Sequence, residues 1–179
     1  QAKEQLLWAD SLVYNQDDRF TEAFGHVKLQ DTIENVVIQG ERLFYDEDEN
    51  SFRMTEDVYF ITDTDNDSLF MYSDTLFSIR VEERNTRKIQ AYPRVQFFRE
   101  DIQGRCDSLG YVIADSLIQL FKTPVVWKDN NQMTADSISI FLIDDGIGRM
   151  VLNRSAFLIT REDSLYYNQI KGKKIIGYF

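Results

Sequence analysis

The feature that most narrows what this chain can fold into is a short pattern repeated along its whole length. A small residue, an acid, a small polar residue and an aliphatic, followed by an aromatic or aliphatic two places on, occur together at Ala9-Asp10-Ser11-Leu12-Val13-Tyr14. The same order returns at Cys106-Asp107-Ser108-Leu109-Gly110-Tyr111 and Ala135-Asp136-Ser137-Ile138-Ser139-Ile140, and more loosely at Gly40 to Tyr45, Ser73 to Phe77 and Gly172 to Ile176. The aliphatic anchors Leu12, Leu43, Leu76, Leu109, Ile138 and Ile175 lie 31, 33, 33, 29 and 37 residues apart. A second mark, centred on Val27, Val58, Val95, Val126 and Phe157, is spaced 31, 37, 31 and 31. Two marks sharing one period signal stacked structural repeats, each unit completing its core against the next.

Within each unit the apolar residues alternate, which is the period of a strand. The apolar runs are rich in Val, Ile, Phe, Tyr and Thr, and acidic turn clusters separate them, as at Asp46-Glu47-Asp48-Glu49-Asn50. Trp8, Asp10, Leu12 and Tyr14 are expected on one face of a single strand. The stretch Ile113 to Phe121 also fits a helical face, but its place in the repeat assigns it to strand. The expected fold is all-β, with roughly twelve to sixteen strands at ordinary strand lengths. It divides into a lead-in over residues 1–7, frayed or briefly helical, and one domain over 8–179 of five to six units of about 31–33 residues. The chain starts without a methionine and ends inside an apolar strand, so a longer parent chain is expected.

Charge and composition exclude several function classes. A net charge of −10 lacks the Lys and Arg clusters that nucleic acid requires. No apolar run approaches the roughly 20 residues of a membrane helix. The single cysteine, Cys106, cannot form an internal disulfide and reads as a small apolar residue in the place of Ala9 and Ala135. The single histidine, His26, excludes a two-histidine metal site, and no nucleophile elbow, zinc motif or phosphate-binding glycine loop is present. Neither a cofactor nor catalysis is expected. Asp10, Glu41, Asp74, Asp107 and Asp136 resemble a carboxylate set for glycoside chemistry, but one acid per repeat reads better as a structural ladder. Asp63, Asp65 and Asp67 form a weak calcium candidate, without the glycine and the bidentate glutamate of a calcium loop.

The stacked units place apolar pairs in two facing rows. One holds Leu12, Tyr14, Leu43, Tyr45, Leu76, Leu109, Tyr111, Ile138 and Ile140, and the other Val27, Leu29, Val58, Phe60, Val95, Phe97, Val126, Phe157 and Ile159. Such rows either fill a sandwich core or line a groove for an acyl chain, and composition does not choose between these. The terminal segment with Ile175, Ile176, Tyr178 and Phe179 is a candidate docking edge.

The Ala-Asp-Ser-Leu-x-Tyr strand, Gly25-His26-Val27-Lys28-Leu29-Gln30-Asp31, Pro124-Val125-Val126-Trp127 with Gln132 to Asp136, and Asn168 to Gly172 together resemble the OstA-like proteins of lipopolysaccharide transport, over Trp8 to Phe179. The resemblance implies an open, twisted β-jellyroll, or β-taco, in the periplasm. It implies a non-enzymatic carrier or bridge that shields lipid A acyl chains. Its partners are lipopolysaccharide and other jellyroll modules paired through edge strands, a head-to-tail homo-oligomer included. The acidic turns here are longer than the compact bridge protein of that family has. The alternative is an interaction or scaffold module without lipid cargo, and a third reading is a carbohydrate-acting or lectin-like domain.

Overall fold

The computed structural model describes residues 5–32, 35–62, 68–81, 86–143, 146–163 and 165–179. The strands are β1 (Gln5–Trp8), β2 (Ser11–Asn15), β3 (Phe20–Asp31), β4 (Val36–Asp46), β5 (Ser51–Thr62), β6 (Leu69–Val81), β7 (Thr86–Tyr92) and β8 (Val95–Arg99). They continue as β9 (Ile102–Cys106), β10 (Ser108–Val112), β11 (Leu117–Phe121), β12 (Val125–Lys128), β13 (Asn131–Thr134), β14 (Ser137–Ile143), β15 (Gly146–Arg161) and β16 (Tyr167–Tyr178). The expected all-β class is what the molecule adopts, and every strand pairing is antiparallel.

These strands form one hydrogen-bonded sheet folded along a crease into two facing layers. The long strands β3, β4, β5, β6, β15 and β16 cross the crease; in the middle of the molecule the crossing interrupts the pairing, so β7 with β8, β9 with β10, β11 with β12, and β13 with β14 are the two arms of single V-shaped passes. The first layer is therefore β2, β3, β4, β5, β6, β7, β10, β11, β14, β15 and β16, in hydrogen-bonded order. The second is β1, β3, β4, β5, β6, β8, β9, β12, β13, β15 and β16.

The crease explains the repeated motif. In Ala9-Asp10-Ser11-Leu12 the small residue faces inward from the second layer, the aliphatic faces inward from the first, and the acid and polar residue carry the backbone around the corner. The acid's own N–H is satisfied across the crease: Asp10 donates to the carbonyl of Gly25 at 2.9 Å, Asp74 to that of Pro93 at 3.2 Å and Asp136 to that of Arg154 at 3.1 Å. The small residue is needed because the neighbouring pass brings a side chain directly opposite, as in Val27↔Gly40, Val58↔Ser73, Val95↔Cys106 and Ala156↔Gly172.

Return passes turn the corner differently, with left-handed residues just before the inward-facing one. These are Gly25-His26 (φ 72° and 47°), Glu56-Asp57 (69° and 56°), Arg94 (60°), Lys122-Thr123 (59° and 56°) and Arg154-Ser155 (57° and 47°). They coincide with or adjoin the register shifts in β3, β5 and β15, which bend the strand as bulges do.

Three sequence expectations change at the crease. Alternation breaks phase at Asp10, so Trp8 faces outward, 46% exposed and with Lys28 over its ring, and does not share a face with Leu12. Gln5, Leu6 and Leu7 of the lead-in form β1, paired with β3. Ile113–Asp115 is a single 3-10 turn closed by Ser116 in the left-handed region, and only Leu117–Phe121 is strand.

The core lies between the layers beside the crease. In the first layer Leu12, Ala23, Leu43, Met54, Leu76, Ala91, Leu109, Leu120, Ile138, Leu152 and Ile175 are successive cross-strand partners, and from Ala23 to Leu152 none exceeds 8% exposure. In the second layer the matching row is Leu7, Leu29, Ile38, Phe60, Met71, Phe97, Gly104, Val126, Met133, Leu158 and Ile170. Each fully buried side chain contributes roughly 1.5–3 kcal/mol of transfer free energy. The two rows together therefore dominate what holds the fold.

Candidate functional site

The candidate site is the space between the layers, graded from a closed crease to a polar mouth. At the crease, Val27, Val58, Val95, Leu43 and Leu76 are 0–2% exposed and Leu109 is 8%, so these predicted row members are packed against other side chains. Phe60, Val126, Ile138 and Ile140 are buried with them. One step toward the mouth, Leu29, Tyr45, Phe97 and Tyr111 are half-buried and flank the core. Leu12 and Tyr14 stand at the open end of the stack, 54% and 51% exposed, because β2 has a neighbour on one side only.

Three predicted members of the second row are corrected. Val126 belongs to the row of Phe97, one step further from the crease; Pro124, fully buried, takes the place of Val95 directly after the left-handed dipeptide Lys122-Thr123. Likewise Ala156, 0% exposed, follows Arg154-Ser155, so the alternation puts Phe157 and Ile159 on the opposite face from Ala156 and Leu158. The aliphatic pattern does not reveal where a return pass turns, because the turn is made by residues of several types.

The repeated acids line the outside of the crease and meet cations from the adjoining passes. Asp10 Oδ2 lies 2.8 Å from His26 Nδ1, Asp74 Oδ2 accepts from Arg94 at 3.2 Å, and Asp107 Oδ2 accepts from Lys122 at 2.8 Å. Glu41 accepts the His26 backbone N–H at 3.2 Å. The hydrogen bond to Asp10, then the charges of Asp10 and Glu41, hold the imidazole of His26 above its ordinary pKa. Hydrogen bonds from Lys122 and Ser108 hold the Asp107 carboxyl below its ordinary range. The ladder is thus an exposed zipper along the fold line, in which the carboxylates of Asp10, Glu41, Asp74 and Asp107 are engaged at the corners. Asp63, Asp65 and Asp67 lie outside the described residues.

Cys106 is 7% exposed in the inner angle of the crease, where burial pushes its thiol to about 12. The exposed aromatics Tyr59, Phe70 and Phe98, 48–52% exposed, stand on the outer face of the second layer.

Toward the mouth the inner faces become polar, a feature the sequence reading missed. Inward-facing positions on β7 and β8 are Arg87, Ile89, Ala91, then Val95, Phe97 and Arg99, so the two arginines stand six residues to either side of Pro93. Arg87 donates to Ser78 Oγ at 2.9 Å and to Asn50 Oδ1 at 2.8 Å. Arg99 Nε and Nη2 donate to Asp101 at 2.6 and 3.0 Å, and Lys128 Nζ reaches the same carboxylate at 3.5 Å. Burial works against the charge of Asp101, but Arg99 and then Lys128 outweigh it and hold its pKa below the ordinary value. Lys128 Nζ also lies 5.5 Å from the ring centroid of Phe179, so the layers meet at the mouth between the end of β12 and the residue after β16. Alternation at period two would have placed these cations on the inner faces, had the position of the crease been known.

At the ends of the stack, among the described residues, β16 pairs with β15 alone, while β1 and β2 pair with β3 alone. Ile170, Ile176 and Tyr178 on β16 are 53%, 44% and 74% exposed, and Phe179 is 50% exposed.

No curated protein sequence matches this chain. A solved structure described as LptH, the LptA homologous periplasmic component of the conserved lipopolysaccharide transport device from Pseudomonas aeruginosa, aligns over 94% of this chain and 94% of its own, with 11% identity and a TM-score of 0.43. The family described as OstA-like protein matches residues 1–76. That stretch contains the acids Asp10, Glu41 and Asp74 of the first crease corners, so the first repeats of this chain are similar to the OstA-like proteins.

Proposed function

We propose that this protein is a periplasmic, non-enzymatic module of lipopolysaccharide transport that shields lipid acyl chains between its two layers on the way to the outer membrane. The observation that carries the reading is the pair of unbroken inner apolar rows. They run through every strand of both layers, with half-buried Leu29, Tyr45, Phe97 and Tyr111 on the mouth side of a closed core. Covering each methylene of an acyl chain is worth roughly 0.8 kcal/mol. A row that continues from strand to strand offers that cover along the whole stack, and the OstA-like match over residues 1–76 supports the cargo class.

The free edges support a bridge. A strand with one unpaired side presents a template for another chain, and β16 at one end with β1 and β2 at the other would join two copies, or a related module, head to tail. Ile170→Lys with Ile176→Lys on β16 is expected to reduce self-association in sedimentation without unfolding the chain.

The reading is tested by placing a photo-crosslinking residue at Phe97 on the inner face and, separately, at the neighbouring Phe98 on the outer face, then adding lipopolysaccharide. Labelling of lipid from Phe97 and not from Phe98 is the expected result. Labelling from Phe98 alone, or from neither, overturns the reading and leaves an interaction module without cargo.

A further inference from the structure

The outer face of the second layer is the part of the surface least like the rest of this acidic chain. Its outward row nearest the mouth runs through cross-strand partners from Leu6 on β1 to Gln169 on β16, and no residue in it is charged. The next row toward the crease, from Trp8 to Lys171, holds the cations Lys28, Arg105 and Lys171 and no acid. The chain has 30 acids in all, and the crease ladder starts two residues beyond this row, as at Trp8 and Asp10.

In place of charge, the two rows carry rings and primary amides. Gln30, Gln39, Gln96, Gln103, Gln132 and Gln169 all belong to them. The exposed rings of Tyr59, Phe70 and Phe98 stand on adjoining strands, with Tyr72 5.3 Å from Tyr59. From Phe98 onward the row nearest the mouth alternates strictly, as Phe98, Gln103, Trp127, Gln132, Ile159 and Gln169. With neighbouring strands roughly 4.8 Å apart, its apolar members recur about every 10 Å. Two shallow grooves meet at Trp127, one of about 410 Å³ on the aromatic side and one of about 350 Å³ on the amide side. Trp127 Nε1 donates to Gln132 Oε1 at 3.0 Å, which fixes that amide and leaves its N–H groups as donors beside the ring.

These groups select among ligands. Contiguous exposed rings mark a binding surface. An anionic ligand calls for clustered cations, which the alternating row lacks, and a bilayer would bury its amides without partners. A sugar ring offers an apolar C–H face to an aromatic side chain and, at its edge, hydroxyls that donate and accept as a primary amide does. A protein partner would concentrate its contacts in one central patch, whereas this pattern repeats along a line. Its period is close to the disaccharide repeat of an extended β-linked polysaccharide.

We propose that the outer face of the second layer binds a linear, uncharged, β-linked polysaccharide laid across the strands, with Phe98, Trp127 and Ile159 against its ring faces and Gln103, Gln132 and Gln169 on its hydroxyls. The site lies on the opposite side of the layer from the inner apolar rows and does not depend on the lipid reading.

The test uses the full chain and four hexasaccharides: cellohexaose and chitohexaose, which are β-linked and uncharged, maltohexaose, which is α-linked and curved, and a β-linked mannuronate with one carboxylate per sugar. Binding is read by calorimetry and by tryptophan emission. At least one of the uncharged β-linked chains is expected to bind tenfold or more tightly than the α-linked chain and the mannuronate. Phe98→Thr and Gln103→Glu, both at exposed positions where folding is not at stake, are each expected to weaken it at least tenfold. Trp127→Phe keeps a ring but removes the bond to Gln132 and is expected to lose part of the affinity. Tyr92→Thr, at an exposed position on the first layer, is expected to leave binding unchanged.

Binding of neither uncharged β-linked chain overturns the proposal, as does equal binding of maltohexaose or of the mannuronate. Unchanged affinity in Phe98→Thr and Gln103→Glu removes the site from this face. Association with phosphatidylcholine vesicles that is lost in Phe98→Thr assigns the face to a lipid surface and overturns the sugar. None of the four sugars carries an acyl chain, so each of these outcomes leaves the carrier reading to its own crosslinking test at Phe97.

Discussion

The ring of Phe97 lies over Gly104, its cross-strand partner on β9, so closely that a β-carbon on Gly104 would come within 2.5 Å of the Phe97 ring and 2.9 Å of the Val125 carbonyl oxygen. Gly104 is the one position in the second inner row without a side chain, and Phe97 fills the space it leaves. Gly104→Ala forces both a ring and a backbone to move, so a loss of about 1–3 kcal/mol is expected from overpacking. Gly110→Ala, where a β-carbon meets nothing within 4 Å, is the control and is expected to be near neutral. Urea unfolding of the two variants checks this.

Position along the stack sets the value of an apolar anchor. Leu76, 0% exposed in the middle of the first row, should lose about 2–5 kcal/mol on truncation to Ala. Leu12 has the same place in the motif but is 54% exposed on the terminal strand, so Leu12→Ala should cost well under half as much. Equal losses, measured by the shift in urea midpoint at constant slope, would contradict the end-to-centre gradient of packing.

Thr123 is β-branched and held at φ 56° in the return corner between β11 and β12. The left-handed region costs an ordinary residue roughly 1–2 kcal/mol, and glycine enters it freely at a smaller entropic cost. Thr123→Gly is therefore expected to leave stability unchanged or raise it by up to about 1 kcal/mol. Gly25→Ala, at φ 72° against the Asp10 side chain, should lower it. Thermal unfolding of the pair reads the sign directly.

Protonation at the crease works in two directions. His26 has a raised folded pKa, so its contribution is fully present below the unfolded value of 6.5 and fades as pH rises through the folded one. Asp107 has a depressed folded pKa, so its contribution is present above the unfolded value of 3.8 and is lost as pH falls through the folded one. Both groups are exposed and screened by salt, and the effects on stability are small. The titration itself is measurable: the imidazole resonances should report a pKa above 6.5 for His26, returning toward it in Asp10→Asn.

Much of the fold was legible because its repeating unit is local. The motif of small residue, acid, polar residue and aliphatic encodes an outbound corner in four consecutive positions, each with its own reason to be what it is. The apolar rows followed from alternation, and the buried Cys106 from its equivalence to Ala9 and Ala135. The observed inward rows coincide with the expected alternation at Leu43, Leu76 and Ile138, and depart from it where a return corner shifts the phase, as at Phe157 and Ile159.

The sequence by itself determined the all-β repeat and the aliphatic anchors of the first inner row, because alternation and side-chain volume act over a few neighbouring positions. Only the tertiary structure decided where the return passes bend, since Gly25-His26, Glu56-Asp57, Lys122-Thr123 and Arg154-Ser155 share a backbone conformation without sharing side-chain chemistry. Those bends are set by hydrogen bonding to the passes on either side. They set which residues lie inward and how far from the crease, and so put Pro124 and Ala156 in the innermost row where the aliphatic spacing alone pointed to Val126 and Phe157.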